Sequence, residues 1–177
     1  MCSSDLIPVG KTGTTARAVL RTGSARIPSV ATLPTTTQNV TQVFDLETVA
    51  DNQLTGKSSG TLQAMLMGSM VPYKWSINGN TDMHATLFEL REGETIDLNF
   101  MNHSMMFHPM HLHGHSFQVV DTGRGRFAGA LRDTVFVPPM TMVTVALDAG
   151  EAASWMLHCH HMPHLATGMM TEFAVSA

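Results

Sequence analysis

The sequence predicts an all-β fold, either a Greek-key β-sandwich or a barrel. The stretches 94–101 and 141–148 alternate between apolar and polar residues, as strands with one buried face do. Stretches of this kind are separated by turn residues, notably the glycine-rich stretch 123–129 and the Pro138-Pro139 pair. Many short strands divided by turn signals are typical of sandwiches and barrels.

The predicted strands follow one another along the last two thirds of the chain. They cover residues 61–67, 72–77, 85–91, 94–101, 111–120, 133–137, 141–148, 153–159 and 169–175. The second of them runs into an Asn78-Gly79 turn signal.

The first 55 residues have a different character. Residues 16–22 alternate and predict one strand, whereas the Ser-, Thr- and Pro-rich stretch 23–39 predicts an extended surface linker. Apolar residues at helical spacing predict a short helix within 44–54. We therefore divide the chain into a terminal strand segment (1–22), a linker with a short helix (23–55) and one β domain (56–177).

Composition excludes several classes of protein. The 177 residues are 44% hydrophobic and 14% charged, with a net charge of −4. A disordered chain would have fewer apolar and more charged residues. No basic surface for nucleic acid is indicated, and no apolar run approaches the roughly 20 residues of a membrane span. The start of the sequence lacks the pattern of a signal peptide.

Ten histidines and fifteen methionines are an unusual number for this length. Nine of the histidines lie between His103 and His164, which indicates a metal centre.

The first histidine cluster is HPMHLHGH, residues 108–115. On a strand, side chains two residues apart share a face, so His111 and His113 are expected to point the same way. Two neutral imidazoles on one face suit a metal centre or two adjacent metals.

The second cluster is HCHHMPHLATGMM, residues 158–170. Alternation places His158 and His160 on one face and Cys159 on the other, so the thiolate and its neighbours are expected to serve two centres. A turn at Pro163 returns His164 and a methionine towards the sulfur. One thiolate, two imidazoles and a thioether are the ligand set of a blue-copper site.

Other interpretations of the histidines remain open at this point. A structural zinc site would need four ligands converging in one closed tetrahedron. His84, His103 and His161 belong to no ligand pattern and are interpreted as ordinary histidines.

HPMHLHGH and HCHHMPHLATGMM, in this order, resemble the two copper signatures of the C-terminal cupredoxin domain of multicopper oxidases, the laccase-like enzymes. The segments WSING and RDTVFVPP are also similar to that domain, and the resemblance covers residues 56–177. It implies a cupredoxin-like fold, and it makes residues 1–22 the remnant of a preceding cupredoxin domain.

The resemblance also implies a role for each site residue. The type 1 copper ligands would be His108, Cys159, His164 and Met169, with Met169 preferred over Met170 as the axial ligand. His111 would bind the type 2 copper, and the type 3 pair would be bound by His113, His158 and His160. His115 would support these ligands without binding metal.

The implied activity is oxidation of a reducing small molecule or metal ion. Electrons would enter at the type 1 copper and pass through Cys159 to His158 and His160, the catalytic path, and the trinuclear centre would reduce the co-substrate O₂ to water. A complete trinuclear centre in the family has eight histidines, of which this sequence supplies four. The chain is therefore expected to lack N-terminal cupredoxin domains, to be inactive alone, and to come from a periplasmic or extracellular enzyme.

Two further functions are compatible with the sequence. One is a stand-alone blue-copper electron-transfer protein, which would leave the four remaining cluster histidines without a use. The other is a copper-handling module, because Met65, Met67 and Met70, and also 105, 106 and 110, supply thioethers that suit Cu(I). Methionines also fill apolar cores, which is the competing interpretation.

Overall fold

The computed structural model describes residues 46–49, 53–54 and 56–177. Within these ranges the chain forms eleven strands and one short helix. In chain order they are β1 (Gly60–Met70), β2 (Tyr73–Ile77), β3 (Thr86–Arg91), β4 (Thr95–Asn102), β5 (His108–Leu112), β6 (Phe117–Asp121), β7 (Leu131–Arg132), β8 (Thr134–Val137), β9 (Met142–Asp148), β10 (Ala153–Cys159), α1 (Met162–Ala166) and β11 (Met170–Ser176).

The strands form two sheets. The six-stranded sheet has the order β2-β1-β4-β9-β6-β7, and the five-stranded sheet has the order β3-β11-β10-β5-β8. β1 pairs with β4 and β3 with β11 in parallel, whereas the other pairs are antiparallel. The predicted all-β sandwich is confirmed.

The core lies between the sheets and follows directly from the alternation in the sequence. Along β4 every second residue is buried, so Ile96, Leu98 and Phe100 face inward while Asp97 and Asn99 face outward. Each fully buried apolar side chain of this size contributes about 1.5–3 kcal/mol. The largest fully buried side chains are Trp75, Phe100, Phe117, Phe173, Leu66, Ile77, Leu98, Met110, Leu112, Leu147, Leu157 and Met169.

The predicted strand 111–120 is wrong in one respect, because it is two strands in different sheets. β5 ends at Leu112 in the five-stranded sheet, and β6 begins at Phe117 in the six-stranded sheet. Gly114 lies between them with φ 67°, and a Cβ there would overlap the ring of Trp155. Glycine therefore permits a turn that apolar patterning does not reveal.

The helix predicted within 44–54 is also wrong where the structure describes it. Residues 46–49 are extended, and Glu47 forms an isolated β bridge with Gly129. Leu46 and Val49 are exposed, so they do not form the buried stripe that helical spacing suggests.

The turn predicted at Pro163 is instead the short helix α1, with Pro163 in its first turn, where its missing N–H costs no hydrogen bond. The two-residue strand β7 was not predicted. No helix in the described ranges has the length and apolar character needed to cross a membrane. The predicted strand 16–22 and most of the linker 23–55 lie outside the described residues, so the domain boundaries stay predictions.

Candidate metal centre

Two neighbouring strands carry most of the predicted ligands. β5 and β10 pair antiparallel, with His111 opposite His158 and Met110 opposite Cys159. Met110 and Cys159 are fully buried, whereas His111 on the same strand is partly exposed. Strand alternation thus separates the ligands into an inner site, between the sheets, and an outer site on the other face of this sheet.

The inner site brings together His108 at the start of β5, Cys159 at the end of β10 and His164 in α1. The Nδ1 atoms of the two histidines are 3.1 Å apart, and each lies 3.8 Å from Cys159 Sγ. A point equidistant from these three atoms is about 2.1 Å from each, close to the lengths of metal–nitrogen and metal–sulfur bonds. The donor atoms therefore converge on a position that fits one metal ion.

Burial makes these three side chains poorly suited to carry charge. All three side chains are fully buried. Burial, followed by the neighbouring imidazoles, lowers the pKa of His108 to about 4, and burial and His161 lower the pKa of His164 to about 4. Burial raises the pKa of the Cys159 thiol to about 11. Neutral imidazoles are ready to bind a metal, whereas a metal must displace the thiol proton.

Met169 closes the loop that carries this site. Its backbone N–H donates to the carbonyl of His164, and its own carbonyl accepts from the N–H of Cys159. Its side chain is fully buried. Gly168, with φ 116°, makes the turn, and a Cβ there would meet the carbonyl of Trp75. The buried side chain of Met169 thus belongs to the same loop as His164, and its role as a ligand stays a prediction.

Two buried polar residues, Ser104 and Asn102, support His108 on the Nε2 side of its ring. Ser104 Oγ lies 2.8 Å from His108 Nε2, and both the N–H and the hydroxyl of Ser104 lie 2.9 Å from Asn102 Oδ1. Because Asn102 Oδ1 accepts the hydroxyl proton, Ser104 Oγ accepts the Nε2 proton of His108. Nδ1 then carries the lone pair that faces Cys159.

Two further residues contact the inner site. Trp75 stacks on His164 and makes an edge-to-face contact with His108, with ring centroids 5.2 Å apart. The backbone N–H of His161 donates to Cys159 Sγ at 3.4 Å. This hydrogen bond favours the thiolate and opposes the rise in its pKa caused by burial.

The outer site contains His111, His113, His158 and His160. The ring of His111 lies 4.7, 5.6 and 4.8 Å from the rings of His113, His158 and His160, measured between centroids. His158 and His160 are stacked with planes 7° apart, and the Nε2 atoms of His113 and His158 are 3.0 Å apart. The structure therefore brings all four predicted outer ligands together.

Backbone carbonyls fix two of these imidazoles. His111 Nδ1 donates to the carbonyl of Asp133 at 2.8 Å, and His158 Nδ1 donates to that of Cys159 at 3.2 Å. The Nε2 atoms of both rings are then left as lone-pair donors. Burial and the neighbouring imidazoles lower the pKa values of His113 and His158, which keeps them neutral.

His115 has the predicted supporting position. Its Nδ1 donates to the carbonyl of His113 at 2.9 Å, and its Nε2 accepts from the N–H of Gly150 at 3.0 Å. With both ring nitrogens occupied, His115 braces the turn after β5 and is not a metal donor.

Sequence reasoning missed Ser104, Asn102 and Trp75 as residues of the site. Ser104 and Asn102 precede the first histidine cluster, but nothing in their spacing indicates a contact with an imidazole. Trp75 is brought to His164 by the packing of β2 against the loop after α1, where the N–H of Trp75 donates to the carbonyl of Thr167. The backbone contact of His161 is likewise invisible in a side-chain pattern.

Comparison with protein families supports this assembly. A family model described as multicopper oxidase matches residues 55–177. The multicopper oxidase MmcO of Mycobacterium tuberculosis is 34% identical over 159 residues, covering 89% of this chain and 31% of the relative. Copper resistance protein A of Escherichia coli is 34% identical over 121 residues, covering 68% of this chain and 20% of the relative.

Solved structures agree with the fold. McoA multicopper oxidase from Aquifex aeolicus matches with a TM-score of 0.59 and 30% identity, over 67% of this chain and 29% of that one. A multicopper oxidase from Campylobacter jejuni matches with a TM-score of 0.62 at 22% identity, over 70% of this chain and 31% of that one, and shows the fold alone. The chain spans about a third or less of the length of these relatives.

Proposed function

Because the chain belongs to the multicopper oxidase family, we propose that it is the C-terminal cupredoxin domain of a laccase-like multicopper oxidase. One observation carries the proposal. Cys159 joins His108 and His164 inside the sandwich, while its sequence neighbours His158 and His160 lie among imidazoles on the outer face. One short segment thus belongs to two separate donor sets.

The inner site would hold a type 1 copper through His108, Cys159 and His164, and Met169 would supply a weak thioether ligand. The donor chemistry supports copper, since a thiolate, two imidazoles and a thioether are soft and borderline ligands. A closed zinc tetrahedron is less suited to this set, because the thioether is a poor fourth ligand for zinc. Ser104 holds the His108 proton on Nε2, so the imidazole meets a metal without losing a proton.

The outer site would supply His111 to a type 2 copper and His113, His158 and His160 to a type 3 pair. Bound copper would supply one-electron redox chemistry between a reducing small molecule or metal ion and O₂, which takes up four electrons and four protons to give two waters. The protein would contribute the path, because His158 and His160 are covalently adjacent to Cys159.

A second cupredoxin domain, carrying four more histidines, would cover the outer face. Phe107 and Phe136 stack there with centroids 4.8 Å apart, although both are more than 40% exposed. Phe136 lies on the same face of β8 as Thr134, whose hydroxyl contacts His111. An exposed aromatic pair beside an outer site in which His111, His113 and His160 are accessible to solvent supports an interface with another domain. By the family resemblance, we place the enzyme in the periplasm or outside the cell.

The proposal is tested by loading the purified chain with copper. We expect an intense blue absorption from one tightly held copper, and no O₂ consumption with a phenolic or diamine donor. Sustained O₂ consumption by the chain alone would contradict the need for a second domain. A chain without the blue absorption would contradict the inner site.

Matched variants separate the two sites. Cys159→Ser should abolish the blue absorption, whereas His160→Asn should leave it and weaken binding of additional copper. A stand-alone electron-transfer protein would bind no additional copper at the outer face, so a single copper per chain at saturation would favour that second function.

A further inference from the structure

Methionine is distributed in two ways in this molecule. Met110 and Met169 are fully buried, in agreement with core filling. Most of the other methionines within the described ranges are not core residues, and many are exposed. The inner and outer sites leave these exposed thioethers without a role.

Five residues at one end of the six-stranded sheet form what we term the methionine face: Met65 and Met67 on β1, Met101 and His103 at the end of β4, and Met142 on β9. The strand register sets Met65 opposite Met101 and Met101 opposite Met142. Three thioether residues are thus aligned across three adjacent strands.

Met67 and His103 form the second row of the methionine face, two residues further along their strands. The N–H of His103 donates to the carbonyl of Leu66 at 2.9 Å, which continues the pairing of β1 with β4. His103 is therefore the neighbour of Met67. Met101 and His103, and likewise Met65 and Met67, are two residues apart and share a face of their strand.

These side chains lie on the outward face of the sheet. Met65, Met67 and Met142 are 38–40% exposed, and His103 is exposed. Their strand neighbours Ala64 and Leu66 are fully buried. The side chains are close enough to converge, because adjacent strands are only about 5 Å apart and methionine is flexible.

The part of the adjacent outward row that lies on β1, β4 and β9 contains no charged group, and the row continues to Asp121 on β6. This part consists of Gln63, Asn99 and Thr144, with Asn99 and Thr144 hydrogen-bonded to each other at 2.8 Å. A hard divalent cation would find no carboxylate among the residues of these two rows on β1, β4 and β9. Thioethers with one imidazole suit a soft monovalent cation.

We propose that the methionine face is a second, surface copper site that binds Cu(I) through its thioethers and His103. The site is separate from the inner and outer sites and retains Cu(I) without changing its oxidation state. The spacing of residues in the sequence did not predict a role for His103, because the methionines around it lie on three different strands.

The test uses the 177-residue chain with ¹³C-labelled methionine methyl groups, titrated with Cu(I) in the absence of O₂. Cu(I) is diamagnetic, so each methyl signal remains observable, and signals are assigned by single Met→Leu variants. We expect the Met65, Met101 and Met142 signals to shift together and saturate. The titration is repeated in Cys159→Ser, which disables the inner site, and the Met169 signal reports separately on that site.

A matched pair of double variants tests the assignment. Met65→Leu/Met101→Leu should weaken Cu(I) binding at least about tenfold in competition with a chromogenic chelator, as loss of metal-supporting groups does. Met70→Leu/Met105→Leu removes two other exposed thioethers and should leave the affinity unchanged. Equal shifts at Met70 and Met105 would overturn the proposal. So would signals that move with protein concentration in the absence of Cu(I), since that would identify the face as a contact between chains.

Discussion

The indole of Trp75 stacks on the imidazole of His164, with ring centroids 3.9 Å apart and planes inclined by 29°. Trp75 is 1% exposed, so the indole forms a dry wall of the inner site. Because α1 is only five residues long, this stack is a main constraint on the plane of His164. The contact of Trp75 with Gly68 makes this constraint testable.

Gly68→Ala should disturb this wall. A Cβ at Gly68 would overlap the six-membered ring of Trp75, so the indole or β1 must move. We expect a loss of about 1–3 kcal/mol in the free energy of unfolding, as for other overpacked cores. We also expect faster loss of copper to a chelator, measured by the decay of the blue absorption.

Gly60→Ala is the control for this substitution, because it adds a methyl group on the same strand where nothing lies within 4 Å. Equal stability of the two variants would show that Trp75 is not held against β1.

Ser104→Ala should act through His108. The substitution removes the acceptor of the Nε2 proton and leaves a buried N–H unpaired, which costs about 1–3 kcal/mol. We expect weaker copper binding and a changed absorption spectrum. Ser104→Thr retains the hydroxyl and should restore the spectrum, whereas Ser154→Ala, at an exposed hydroxyl, should have no effect. A wild-type spectrum in Ser104→Ala would remove Ser104 from its positioning role.

Met169→Leu should raise the reduction potential of copper bound at the inner site, because an apolar side chain would replace the weak thioether ligand that we propose there. Met170→Leu is the adjacent control, since Met170 lies opposite His158 on β11 and outside the inner donor set. Redox titration followed by the blue absorption measures both. An unchanged potential in Met169→Leu, or an equal rise in Met170→Leu, would exclude Met169 as the axial ligand.

Acid should destabilise the metal-free chain. The folded-state pKa values of His108 and His164 are about 4, below the ordinary value of 6.5. Between these pH values the unfolded chain binds more protons than the folded chain, so stability is lost as the pH falls through this window. Urea unfolding of the metal-free chain should show a lower midpoint at about pH 5 than at about pH 7.

His108→Asn removes one of the two titrating groups and should reduce this dependence on pH. An equal or higher midpoint at the lower pH in the wild-type chain would contradict the burial of neutral imidazoles.

Local patterns predicted much of the architecture and the separation of the ligands. Alternation along β4 and β9 identified inward-facing residues, and the same rule assigned Cys159 and His158 to opposite faces. The predicted continuous strand 111–120 was wrong because Gly114, with a positive φ and the Trp155 ring packed against it, redirects the chain.

A different reason explains why the residues around the metal ligands could not be predicted. The contact of Trp75 with His164, the contact of Ser104 with His108, and the grouping of the exposed methionines all depend on strand register or loop closure. Register is a property of pairs of strands, and the pattern within one strand does not contain it.

Both the inner and the outer site depend on a single strand alignment, the pairing of β5 with β10. Because side chains alternate with a period of two, a slip of β10 by one residue against β5 would turn His158 inward and expose Cys159. Such an error would abolish both sites at once and present a reactive thiol to the solvent. Fidelity of strand alignment during folding is therefore as decisive for metal acquisition in this domain as the identity of any one ligand.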